Sequence, residues 1–390
     1  MGQPDLADCK RGDTRDRRAV AVTGGASALF IGSEVYRGSS YGAGHPLRIP
    51  RVPVVMDLCA ALGWLDGRYR TSPKAKPAAL TAFHTEGYIA ALQRAEATGA
   101  VDDAVRARHQ IGTLSNPVFP QIYSRPATGA GGVLLAAEML ANGVARVHVP
   151  GGGTHHGMPD RANGFCYLND PVLAIMALRR AGLRVAYVDI DAHHCDGVEP
   201  AFAGLPDVLM ISVHEEARWP FTGALGDGAG GNAFNLPVPR GFNDTEMRAV
   251  VERLIVPRVA AFGPDVIVLQ AGADSLTEDP LSRLCLSNRA YVDCLRALLG
   301  LAERMLLLGG GGYNPWSVGR CWTALWGVLA GFELPARLPE GASDVLRGLS
   351  WGGGGRAVPG ETMMVTLLDD PREGVVRREV MERLEALAAR

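Results

Sequence analysis

The sequence has no surplus of charge: 39 Lys and Arg meet 41 Asp and Glu, a formal net of −2. Polyanion binders normally carry a basic excess, so nucleic acid and anionic lipid are not expected partners. No CxxC pair occurs, and the seven cysteines (Cys9, Cys59, Cys166, Cys195, Cys285, Cys294, Cys321) are odd in number and scattered. This speaks against a disulfide framework and for a reduced, intracellular chain. No apolar run reaches the roughly 18 residues of a membrane span. The opening MGQPDLADCKRGDTRDRR lacks the apolar core of a secretory signal, and Leu6 stands where a myristoylation signal needs Ser or Thr. A cytoplasmic location is therefore expected. Also missing, despite 49 glycines, is the GxxxxGK[ST] pattern of a phosphate loop.

The hydrophobic share of 47% and the charged share of 21% are ordinary for a globular protein. A length of 390 residues slightly favours two domains, but no repeat or low-complexity linker divides the chain. Residues 1–18 are charged and poor in large apolar side chains, which predicts a disordered tail. Residues 19–390 are expected to form one domain that closes with a helix over REGVVRREVMERLEALAAR, after a flexible loop at SWGGGGRAVPG. Within it, short apolar, largely β-branched runs alternate with Ala/Leu-rich stretches of helical period. Examples of the first are ARVHV, LRVAYVDID, DVLMISV, DVIVLQ and RMLLL; GGVLLAAEMLANG and NRAYVDCLRALLGLAE exemplify the second. Buried parallel strands with crossover helices make that pattern, so the fold class is α/β with helices on both faces of a mostly parallel sheet. Ligands then bind beyond the carboxyl ends of the strands.

Unusual polar residues cluster at those ends. Asp189, Asp191 and His193 alternate at the end of one strand, and a period of two puts them on one face. Asp274 ends another strand, where it would serve as a metal ligand or as a helix N-cap. Two carboxylates and one imidazole leave a vacant coordination position, the pattern of a catalytic zinc site. A hydrogen-bonded loop entry without metal is the plainer alternative. GGGTHHG adds His155 and His156 on a glycine turn; amide hydrolysis needs a group to take a proton from water and return it to the leaving amine. Asp189 and Asp196 are natural carboxylate partners for imidazole Nδ1–H groups. Gly309 to Gly312 present Tyr313, a possible hydrogen-bond donor to an oxyanion.

GGGTHHG, NGFCYLND, DIDAHHCDG, GAD and GGGGYN, in that order, resemble the motifs of the histone deacetylase superfamily, of arginase-like three-layer α/β/α fold. YGAGHPLRIPRV and NPWSVGRCWTALW resemble it too, from about residue 30 to the C-terminus. GTLSNPVFPQIY and PREGVVRREV are most similar to the acetoin-utilisation-type branch. The resemblance implies a zinc-dependent amidohydrolase acting on an acyl-lysine or a small acylated amine. It assigns zinc to Asp191, His193 and Asp274, and proton transfer to His156 with His155 as electrostatic partner. Asp189 would pair with His155 and Asp196 with His156, while Tyr313 polarises the scissile carbonyl. Gly164 and Phe165 would line the acyl tunnel opposite Trp219 or Phe221, with Ser115 and Leu281 also against the substrate. One potassium ion would sit at Asp189, Ser212 and Val213, and a second at Phe202, Val208 and Phe234.

This sequence departs from the family at three places. Cys195 stands where Gly is usual, beside the metal loop, where a thiol would crowd, oxidise or coordinate. Ser115 replaces an aspartate that grips the substrate backbone in many members, and WPFTG replaces FPGTG at the tunnel wall. Competing readings are an acetylpolyamine or other small-molecule amidohydrolase and a non-catalytic binder of acylated ligands. An arginase-like ureohydrolase with two metals is a further one, although GADSLTEDP brings Asp274 and Asp279 without the SxDxDxxDP pattern that a second metal requires.

Overall fold

The structure, a computed structural model, describes residues 28–351 and 358–390. The expected tail over residues 1–18 and the centre of the glycine loop near residue 355 lie outside the described residues. Eight strands form one sheet: β1 Ala28–Gly32, β2 Tyr69–Thr71, β3 Arg146–Val149, β4 Val185–Asp189, β5 Val208–Glu215, β6 Ala233–Val238, β7 Val266–Gln270 and β8 Arg304–Leu308. Their order is β2-β1-β3-β8-β7-β4-β5-β6, and every pairing is parallel.

Alternation along the central strands explains the three layers. Val185 and Tyr187 of β4, Val266 and Val268 of β7, and Leu306 and Leu308 of β8 face one side, packed against Val133, Leu140, Ile175 and Leu178. These last belong to the helices Ser124–Ala141 and Asp170–Arg180. Ala186, Val188, Ile267, Leu269 and Leu307 face the other side, against Trp316, Trp322 and Trp326. The three indoles sit on the helix Pro315–Ala330 and are fully buried. At about 25 cal/mol per Å², each such ring contributes roughly 4–6 kcal/mol of transfer free energy as an upper bound.

Caps place the helices and reach into the loops. Asn314 accepts hydrogen bonds from Trp316 N and Ser317 N, Pro315 opens the first turn, and Gly331 closes the helix in the left-handed region. Asn169 caps Asp170–Arg180 by accepting from Val172 N, and its Nδ2 donates to the carbonyls of His155 and Gly157. Asp170 accepts from Gly153 N and Thr154 N. One helix start thus holds the GGGTHHG loop.

The closing helix is shorter than the sequence pattern suggests, running over Arg378–Ala388. The amides of Arg372, Gly374 and Arg377 are given instead to side chains of Asp244, Thr245 and Glu246 at the start of another helix. Among the described residues, no helix is long and apolar enough to cross a membrane.

Candidate metal centre and catalytic cavity

Four strands adjacent in the sheet, β3, β8, β7 and β4, deliver one loop each to a common point beyond their carboxyl ends. β4 stops at Asp189, so the two-residue alternation expected for Asp189, Asp191 and His193 does not continue as a strand. Asp189 turns to the histidine pair, while Asp191 and His193 lie on the following loop. Nδ1 of His193 lies 3.1 Å from Asp191 Oδ1 and 2.9 Å from Asp274 Oδ2. One candidate ligand atom from each residue lies within 4.8 Å of the others.

The remaining carboxylate oxygens are already engaged. Asp274 Oδ1 accepts from Ala192 N at 3.0 Å. Asp191 Oδ2 accepts from Gly311 N at 2.8 Å and from Gln270 Nε2 at 3.0 Å. Both carboxylates are almost fully buried. Burial and the charge of Asp191 push the Asp274 carboxyl above its usual range, the crowding of like charge that a bound cation would relieve. Two hard oxygens and an imidazole nitrogen around one point suit a divalent metal. Asp279 is outside this group: its oxygens accept from Leu281 N and Tyr313 N, so it orients the tyrosine loop.

Beside the triad, Nδ1 of His155 lies 2.7 Å from Asp189 Oδ2, and Nδ1 of His156 lies 2.6 Å from Asp196 Oδ1. The two Nε2 atoms are 3.0 Å apart. Burial alone would lower His155, but the Asp189 and Asp191 carboxylates raise it to about 9. For His156, burial and then the charge on His155 prevail over the bond to Asp196, lowering it to about 4. Tyr187 donates to Asp189 Oδ2 at 2.5 Å, and Asn163 Nδ2 donates to Asp196 Oδ2 at 2.9 Å. Tyr187, Asn163, Gln270 and Asn169 escaped the sequence reading. Tyr187 and Gln270 carried a signal, since each is a polar group inside an apolar strand.

His156, His193 and Tyr313 line the bottom of a cavity of about 790 Å³. All six residues expected against substrate, Ser115, Gly164, Phe165, Trp219, Phe221 and Leu281, line the same cavity. The Trp219 ring is 4.6 Å from His156, whereas Phe221 is 74% exposed at the mouth, so Trp219 is the inner of the two aromatics. A Cβ on Gly164 would come within 2.3 Å of the Trp219 ring, which requires glycine there. Phe165 adopts a positive φ of 68° and its N–H donates to Asn116 Oδ1. Beyond the tyrosine, a space of about 40 Å³ opens between Tyr41, Arg51, His155, Gly310 and Tyr313.

Cys195 is not among the metal-facing groups. It is 1% exposed in the apolar cluster with Val198 and Phe202, and burial pushes its thiol well above the ordinary range. A protonated thiol enclosed in this way packs as filling rather than as a reactive group, one of the two roles that the sequence left open. Ser212 faces Asp189 across the β4–β5 pair, and its Oγ lies 2.9 Å from His214 Nδ1. Val213 follows it in β5. Phe202 and Val208 lie towards the opposite end of the sheet, where their carbonyls accept hydrogen bonds from Asn232 Nδ2, whereas Phe234 pairs with Ile211 further along β5, so the structure does not bring the three residues together.

The histone deacetylase domain profile matches residues 45–329. Histone deacetylase 8 of Xenopus tropicalis is 35% identical over 302 residues, which cover 75% of this chain and 82% of that protein. Histone deacetylase 1 of Oryza sativa subsp. japonica is 37% identical over 306 residues, covering 77% of this chain and 59% of the relative. Among solved structures, a histone deacetylase homolog from Aquifex aeolicus superposes with a TM-score of 0.87 at 35% identity, covering 93% of this chain and all of that one. A histone deacetylase homolog complexed with SAHA gives 0.88 at the same identity and coverage.

Proposed function

Because the chain belongs to the histone deacetylase family, we propose that it is a zinc-dependent deacylase hydrolysing the linear amide of an N-acyl amine, with N-acetyl-lysine or a small acetylated amine as substrate. The observation that carries this reading is the convergence of Asp191, His193 and Asp274 on one point at the bottom of a cavity, beside two carboxylate-backed histidines. Zinc held by those three residues would supply Lewis-acid polarisation of the substrate carbonyl and of water.

The protein's own groups divide the remaining work. Asp196 accepts the Nδ1 hydrogen of His156, which leaves Nε2 of that ring to take a proton from the attacking water and return it to the leaving amine. Asp189 holds His155 through Nδ1 and steadies charge on the neighbouring ring. Tyr313 donates its hydroxyl hydrogen to the carbonyl oxygen as that oxygen gains charge. Gly164, Phe165 and Trp219 wall the acyl-bearing chain, and the 40 Å³ space beyond Tyr313 supports a short acyl group. The SAHA complex of the homolog supports an extended ligand of this kind. Asp189, Ser212 and the backbone around Asp191, His193 and Val213 would hold potassium beside the metal.

The mouth favours a neutral or apolar group on the amine side over an acetylpolyamine. Leu114 and Phe221 are 99% and 74% exposed there, and Arg218 is already hydrogen-bonded to Glu215 and to the Leu281 carbonyl. A polycation would meet one paired arginine and no carboxylate among the residues that line this cavity.

The test is direct. Purified protein is expected to hold one zinc per chain, to cleave a capped acetyl-lysine reporter, to lose activity on chelation and to regain it with zinc. Acetylpolyamines should give the lower kcat/KM. Unchanged turnover in His156→Ala or Asp191→Asn would overturn the mechanism.

A further inference from the structure

The expected second potassium site, Phe202, Val208 and Phe234, does not have the form of a cation cradle. Residues 202–208 carry the chain from the metal loop back to the start of β5, at the end of the sheet opposite the reaction cavity. Three carbonyl oxygens converge there: Phe202 O, Leu205 O and Val208 O. Converging carbonyl dipoles repel one another and need something positive between them, either an ion or a hydrogen-bond donor. Nδ2 of Asn232 fills that place, at 2.8, 3.1 and 3.0 Å from the three oxygens.

The orientation of that amide follows from its partners. Carbonyls only accept, so the NH₂ end must face them. The other end, Oδ1, accepts from Gly204 N at 2.9 Å, so a flip would set oxygen against three oxygens and a donor against a donor. The backbone holds the residue in register, because Met210 N donates to Asn232 O at 2.9 Å, tying it to β5. Phe234 is not part of this cluster: it pairs with Ile211 further along β5, and its ring lies under the guanidinium of Arg258 at 4.3 Å.

We propose that the Asn232 carboxamide takes the place of the second monovalent cation, so that this corner of the fold closes without potassium. Two hydrogens shared among three acceptors satisfy the carbonyls that an ion would otherwise bridge. The site near the metal, at Asp189 and Ser212, is independent of this substitution, and so is the deacylase reading.

The experiment compares thallium(I) binding, by calorimetry or thallium NMR, and the dependence of Tm on potassium, in wild type and two variants. Asn232→Gly removes the donor and leaves the three carbonyls; it is expected to bind one more ion per chain than wild type. Its Tm should rise with potassium relative to the same concentration of tetramethylammonium, more steeply than that of wild type. Asn232→Asp sets carboxylate oxygens against the carbonyls and should depend on potassium still more strongly; it tests the idea if the glycine variant fails to fold. Equal ion stoichiometry in wild type and both variants, with no added potassium dependence of Tm, would overturn the proposal. So would an anomalous rubidium peak at this cluster in crystals of the wild type.

Discussion

The hydroxyl of Tyr313 acts only if it keeps its proton and its place. Burial first, and then the charge of Asp274, push its phenol well above the ordinary value, so it stays a donor across the working pH range. Its place is set from two sides: its N–H donates to Asp279 Oδ2 at 2.6 Å, and its ring meets Phe165 edge-to-face at 5.9 Å. Tyr313→Phe removes one oxygen and leaves both contacts intact. The expected loss is about 2.7–4 kcal/mol of transition-state stabilisation, or 10²–10³ in kcat, the scale of one oxyanion-hole donor. KM, zinc content and Tm should stay near wild type. A kcat unchanged within a factor of two would remove the tyrosine from the chemistry. At this scale much was legible: the ligand triad, the histidine pair with its two carboxylates, and Tyr313 are all rare polar groups at the ends of apolar runs. Cys195 was not, because the sequence gives its distance from His193 in residues, while only the fold shows that its side chain turns into the helix-covered core.

At the scale of elements, the site depends on loops that approach more closely than side chains permit. A Cβ on Gly311 would lie 2.1 Å from Asp274 Oδ2 and 3.0 Å from Asp191 Oδ2; one on Gly272 would lie 1.9 Å from Asp191 Oδ2. Gly311 N also donates to Asp191, so the same residue both clears space for the carboxylates and aims one of them. Gly311→Ala should therefore weaken metal affinity by about 10–100-fold, the usual cost of disturbing a group that orients a ligand. Competition with a chromogenic chelator would read this, alongside Tm in excess chelator, which should fall much less. An equal loss in both would mean that the glycine serves the fold rather than the metal. Five strands were legible as apolar runs, and these include the four that carry the site. β2 and β6 were not: β2 is three partly exposed residues at the sheet edge, and β6, AFNLPV, is interrupted by Asn235 and Pro237; β1, ALFIG, is an uninterrupted apolar run inside the sheet that the pattern did offer. Edge position and interruption erase the pattern that burial on both faces imposes on a central strand.

At the scale of the molecule, one buried histidine links overall stability to the site. His84 accepts the N–H of Asn169 at Nε2, and its Nδ1–H donates to the Met158 carbonyl. Asn169 in turn caps Asp170–Arg180 and holds the carbonyls of His155 and Gly157. Protonation of His84 at Nε2 would set a donor against the Asn169 N–H. Burial accordingly lowers His84 to about 4, and likewise His148, a β3 residue whose Nδ1 meets the Leu307 carbonyl of β8, to about 4. In the unfolded chain both titrate near 6.5, so between the two values the unfolded state binds more protons and stability rises with pH. The contribution is fully present above about pH 6.5 and is lost as pH falls through the window down to about 4. At pH 5 the linkage relation gives a loss of about 2 kcal/mol per histidine relative to pH 7. Denaturant unfolding measured from pH 7 to pH 4.5 should show this slope, and His84→Gln, whose amide offers both a donor and an acceptor without titrating, should flatten it by one proton. Because the cap at Asn169 leads to the His155 loop, activity in the wild type should fall along the same limb, from which the glutamine variant is partly relieved. An identical slope in both proteins would show that His84 does not couple acid to the site.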